Sequence, residues 1–151
     1  MSAELTSTRV LVVANRTADS EELHAALVER HARDPIRVTL LAPAAWEASD
    51  PHGGRESALR RLRAAASRLG QQGIEIETVV GDADPMVAVE AIWDPERFDE
   101  VIVATLPEHL SRWLRIDLPR RVEEITGRPV RHVIAHERTG PTPAPASGGA
   151  G

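Results

Sequence analysis

Apolar residues along the chain follow two rhythms that alternate. Two short runs, Val10 to Ala14 and Val101 to Ala104, are almost continuously aliphatic or β-branched, the pattern of strands buried on both faces, and Ile36 to Ala42 reads as a further strand. A fourth run, Ile74 to Val80, alternates Ile74, Ile76, Thr78 and Val80 with Glu75, Glu77 and Val79, and therefore reads as an edge strand. Val130 to Ala135 is mixed and reads as a second edge. Between these runs the spacing becomes helical. Leu23, Ala26 and Leu27 share one face of a helix that opens at Asp19 and Glu22 in a capping-box arrangement, reaches about His31 and breaks at Asp34-Pro35. Ala58, Leu59, Leu62, Ala65, Ala66 and Leu69 line the next helix, with Arg60, Arg61, Arg63 and Arg68 on its other faces and Gly70 or Gly73 at its end. Asp84 and Pro85 supply an N-cap and first turn for a helix that turns Met86, Val89, Ile92 and Trp93 inward and closes at Asp94-Pro95. Asp117, with Pro119 two positions on, restarts a helix that runs through Thr126.

Five strands alternating with four helices predict a three-layer α/β domain, a parallel sheet with helices on both faces. The most apolar strands belong in the middle and the mixed ones at the edges, so right-handed crossovers favour the order 3-2-1-4-5. The chain then reverses direction between the first and fourth strands, and the crevice beyond their carboxyl ends is the expected ligand site. Asn15, Arg16, Thr17, Thr105, Leu106 and Pro107 line it. The domain is expected over residues 9–136, after a flexible N-terminus of residues 1–8 and before a Pro/Gly/Ala-rich disordered tail of residues 137–151. The longest internal loop, Pro43 to Gly54, contains Trp46, placed either against a flat ligand or closing the core.

Composition narrows the chemistry. The 151 residues carry 18 basic and 23 acidic side chains, a net charge of −5, which disfavours a nucleic-acid partner. Every basic residue is arginine, which removes lysine Schiff bases, lysine general bases and the phosphate-loop lysine. Cysteine is absent too, and with it thiolate nucleophiles, disulfides and cysteine-bound metal. No segment has the length of a membrane span and no signal sequence leads the chain, so a cytoplasmic protein without a membrane partner is expected. Asn15-Arg16-Thr17 matches a glycosylation sequon only by chance in that setting.

The residues that invite a chemical role are few. Arg112, Arg115, Arg120 and Arg121, with Arg16 across the crevice, form an anion pocket in one reading. In the preferred reading Trp113, Leu114 and Leu118 pack on the sheet while the arginines solvate the outer face. His132 and His136, four apart, and Glu21 with His24, one helical turn apart, are the only spacings that suggest metal. Neither has a second Glu-x-x-His copy, and exposed histidines are expected instead. No Gly-x-Ser-x-Gly elbow or phosphate loop occurs, and Ser111 near His109 has no context that makes it a nucleophile. No residue is nominated as catalytic.

The order and spacing of RVLVVANRT, VVGDADP, FDEVIVA and GRPVRHVIA resemble the universal stress protein family over Arg9 to Ala135. The resemblance implies the 3-2-1-4-5 nucleotide-binding-like sheet of that family, a homodimer paired through the last strand, and a subset of members that bind ATP. In those members a glycine-rich stretch ending in Gly-Ser or Gly-Thr follows the fourth strand. Here the pair falls near Ile116-Asp117 and the earlier glycines fall on Leu106 to His109, while the family's usual acidic residue after the first strand aligns with Asn15. Ile116 obstructs the close approach of a phosphate and Asp117 adds a like charge. The expectation is a non-enzymatic stress-response or regulatory module without a cofactor that acts through an unknown protein partner. The alternative is a sensor of the same fold binding a nucleotide or another anionic metabolite. Its candidate ligand-binding set is Asn15, Arg16, Thr17, Ala42, Gly81, Asp82, Thr105, Leu106, Pro107, Arg112 and Arg115.

Overall fold

The computed structural model describes residues 7–44, 54–107 and 110–136. Trp46, His109 and the expected C-terminal tail lie outside the described residues. The elements are β1 (Thr8–Val13), α1 (Glu21–Arg33), β2 (Ile36–Pro43), α2 (Gly54–Gly70), β3 (Glu75–Gly81), α3 (Pro85–Ile92), β4 (Glu100–Thr105), α4 (Arg112–Arg115), α5 (Leu118–Thr126) and β5 (Val130–Ile134). All five strands are parallel in one sheet of order β3-β2-β1-β4-β5, as the distribution of apolar residues predicts.

Two cores flank this sheet because successive side chains of each strand point to opposite faces. Val10, Val12, Val38, Leu40 and Ile102 face α1 and α2, where Leu23, Leu27, Leu62, Ala65 and Leu69 meet them. Leu11, Val13, Leu41, Val101 and Val103 face α3 and α5, where Val89, Leu118 and Val122 complete the second core. Trp93 stacks on Phe98 at 5.9 Å and closes the end of that second core.

Several local expectations are corrected by the backbone. β1 begins at Thr8, which pairs with Ile36, one residue before the expected start of the domain. The cap of α1 is Ser20 and not Asp19: the fully buried Ser20 hydroxyl accepts from Leu23 N at 3.1 Å. Leu59 and Ala66 are half-buried, and the inner face of α2 takes Ser57 instead. α2 ends at Gly70, while Gly73 supplies the left-handed turn into β3 at φ 80°. Asp84 caps α3 as expected, accepting from Met86 N at 2.9 Å. The short α4 makes a fifth helix where four were expected.

Asp117 occupies the N-cap position of α5 but does not cap with its side chain. Its backbone is left-handed, with φ 57° and ψ 46°, and its carboxylate turns toward Arg120 at 3.9 Å. The tight reversal from α4 into α5 forces this conformation, which aspartate tolerates better than most residues but which glycine would adopt without strain.

Candidate functional site

The carboxyl ends of β1 and β4 meet where a doubly wound sheet places its ligand crevice. Six of the expected residues converge there, and the chain itself occupies the side-chain donors of Asn15, Thr17 and Thr105, while the buried Arg16 Nε has no hydrogen-bond partner among the described residues. Asn15, 6% exposed, gives its amide Nδ2 to Pro43 O at 2.8 Å, while its Oδ1 accepts from Arg61 Nη1 at 2.8 Å. The buried Thr17 hydroxyl donates to Ala104 O at 3.1 Å. The buried Thr105 hydroxyl donates to Leu106 O at 3.0 Å and lies 2.7 Å from His132 Nε2. Leu106 is buried and Pro107 half-buried, so apolar side chains stand where amides would have to approach a phosphate. Arg16 is half-buried and has a contact partner of its own.

These bonds form a seam across the whole carboxyl rim. Ala44 N donates to Gly81 O at 3.1 Å, joining β2 to β3, and Ala14 N donates to Leu41 O at 3.0 Å, joining β1 to β2. Thr17 joins the loop after β1 to β4, and Ala135 N to Thr105 O at 2.8 Å joins β5. A hydroxyl or amide that donates to a carbonyl has no proton left in that direction for an anion. The neutral form of His132 is favoured as well, because burial lowers its pKa from the ordinary value of 6.5.

The remaining candidates lie outside this group of bonds. Ala42 is fully buried in the first core. Gly81 serves packing: a Cβ there would lie 2.8 Å from Ala88 Cβ and 2.9 Å from Leu41 Cδ1, so the glycine lets α3 sit against the sheet. Asp82 accepts from Asp84 N at 2.9 Å in the turn that opens α3. Arg112 and Arg115 are exposed and bond to none of the crevice residues among the described contacts. Trp113 packs on the second core, and Leu118 is fully buried in it. Among the described residues no group of three or more His, Cys, Asp or Glu side chains is arranged to hold a metal ion. His136 instead binds Glu22, with Nδ1 2.8 Å from Oε2.

Sequence reasoning missed the two arginines that hold the crevice loop in place. Arg61 reaches Asn15, and Arg68 reaches Asp19 O at 3.1 Å and Glu21 Oε1 at 2.9 Å. They lie seven apart on α2, two helical turns, so a single helix edge clamps both ends of the β1–α1 loop. That spacing was the available signal. At the opposite rim, clefts of about 370 and 440 Å³ open beside Arg9, Arg37, Arg30 and Arg131. Their arginines are matched by Asp99, Glu75, Glu100 and Glu29.

No protein-family profile matches the sequence, and neither does any curated protein. Solved structures do. A universal stress protein from Archaeoglobus fulgidus matches with a TM-score of 0.60 at 14% identity, over 86% of this chain and 96% of that one. A universal stress protein in complex with cAMP matches at 0.58 and 16%, over 88% and 99%. The Archaeoglobus fulgidus universal stress protein in complex with dAMP matches at 0.54 and 15%, over 84% and 97%. At these identities the likeness is one of architecture. The chain has the fold of the universal stress proteins.

Proposed function

We propose that this chain is a divergent universal stress protein, a non-enzymatic regulatory module of the cytoplasm that works by pairing with itself and with a protein partner, without ordinary ATP binding. The seam across the carboxyl rim carries this reading. Asn15, Thr17 and Thr105 direct their donors to carbonyls of the chain, and no glycine lies between Val101 and Thr126 to bring backbone amides to a phosphate. A thermal-shift titration with ATP, ADP and AMP, with and without magnesium, tests it. A ligand at about 100 times its dissociation constant adds roughly 2.7 kcal/mol, several degrees for a domain of this size. The expected result is no shift; a nucleotide-specific shift of several degrees would overturn the reading.

A second reading has its own support. Two of the fold neighbours were solved with cAMP and dAMP, ligands that carry a single phosphate and ask less of a phosphate loop than a triphosphate does. In that reading the chain is a sensor of a nucleotide or other anionic metabolite, with Arg16, Arg112 and Arg115 facing the anion. Cyclic nucleotides and simple polyanions belong in the same titration. A shift with these alone, abolished by R16A or R112A, would select it.

A further inference from the structure

Leu110 and Ile116 are 56% and 40% exposed, two of the four large apolar side chains so exposed among the described residues. Both flank α4. Helical spacing puts Arg112, Arg115 and Ile116 on one face of that turn, three and four apart, while Trp113 is drawn to the second core. Arg112 and Arg115 make no ion pair among the described residues. Arg9, Arg30, Arg37 and Arg68 are each matched by a carboxylate. No acidic residue interrupts 110–116, and Asp117 is turned to Arg120. The turn is preformed: the buried Ser111 hydroxyl accepts from Leu114 N at 3.2 Å, and Ile116 N donates to Arg112 O at 3.3 Å. Ile134, 53% exposed, follows Val130 and His132 at the strand period and so lies on the same side of the sheet.

Exposed apolar side chains rimmed by arginine mark an interaction surface, and a rigid one loses little freedom on binding. The chemistry of the occupant follows from charge. The molecule as a whole carries −5, so an acidic partner is repelled over most of the surface and accepted at this cationic spot, which fixes its orientation. An anionic bilayer asks for a larger basic cluster than two arginines on an acidic protein, and nucleic acid asks for more still. We propose that the α4 face, with Leu110, Arg112, Arg115 and Ile116, docks a protein segment that sets carboxylates beside a bulky apolar side chain. This rests on the interaction-module reading above and names the surface that reading needs.

The test is fluorescence anisotropy of a labelled synthetic peptide alternating Asp and Glu with Leu and Phe, titrated with the full chain. Saturable binding is expected, weakened about tenfold or more by R112E/R115E and likewise by L110S/I116S. R63E, at an exposed arginine of α2, should leave it unchanged. All five substitutions fall on exposed side chains, and an unchanged melting midpoint confirms folding. Equal binding by all variants, or no binding at about 100 µM chain, would overturn the proposal. So would cosedimentation with phosphatidylcholine–phosphatidylserine vesicles that R112E/R115E abolishes, since the face would then belong to a membrane. The nucleotide titration keeps the two readings separable. A nucleotide shift with peptide binding intact sinks the nucleotide-free reading alone, and absent peptide binding without a nucleotide shift sinks the docking face alone.

Discussion

At the scale of single residues, the rim of the sheet depends on groups whose roles are set by what touches them. Gly81 belongs to the candidate ligand-binding set, yet a Cβ there would meet Ala88 and Leu41. Replacing it with alanine must push α3 away from β2, because neither the Ala88 Cβ nor a buried leucine can yield freely. G81A should cost about 1–3 kcal/mol, the range for overpacking a fitted core, and denaturant melts will read it. Asn15 presents a different case. Its truncation to alanine leaves Pro43 O and Arg61 without their shared partner and should cost about 1–2 kcal/mol. N15D should cost more than an isosteric change suggests, since the carboxylate keeps Arg61 but loses the donor for Pro43 O. A stability of N15D equal to that of the native chain would mean that the bond from Asn15 to Pro43 O contributes nothing net. Neither role was legible beforehand. The sequence places Asn15 and Gly81 at strand ends, but whether Asn15 faces a ligand or its own chain depends on contacts 28 or more residues away.

At the scale of elements, nearly everything that follows from hydrophobic period was legible. The central strands β1 and β4 and the edge strands β3 and β5 could be ranked because burial on two faces demands continuous apolar runs, whereas an edge tolerates Glu75, Glu77, Arg131 and His132. Caps were less legible. Asp19 and Ser20 are both good N-caps, and one residue of phase decides between them. α4 was hidden because four residues hold too little pattern to register. The β5 edge carries the expectation of a homodimer, and the ladder shows how to test it. Ala135 N donates to Thr105 O, so the backbone groups of Ala135 and Val133 face β4, and those of His132 and Ile134 face outward. Proline at Val133 would break the inner ladder and confuse folding with assembly. I134P removes only an outward N–H and should convert a β5-paired dimer to monomer on sizing, with the melting midpoint nearly kept. A dimer that survives I134P is not built on this edge.

At the scale of the whole molecule, acid weakens different contacts in two pH windows. Burial holds the His132 pKa below 6.5, so the unfolded chain takes up a proton that the folded chain refuses. Stability must therefore fall as pH drops through about 6.5 and level off once His132 protonates in the folded state. Glu22 works in a lower window. Its hydrogen bond from His136 holds it below 4.5, and the bonds from Arg9 hold Asp99 below 3.8, so each contributes stability that is lost as pH falls through its folded value. Two separate losses are expected in a pH series of melting midpoints, one near neutrality and one in the carboxylate range. H132Q should remove the first and leave the second, because glutamine keeps a polar partner for Thr105 without titrating. His132 joins Thr105 to the outermost strand, so a midpoint that still falls between about pH 7.5 and 5.5 in H132Q would place the sensitive group elsewhere than at this link between the rim and the β5 edge.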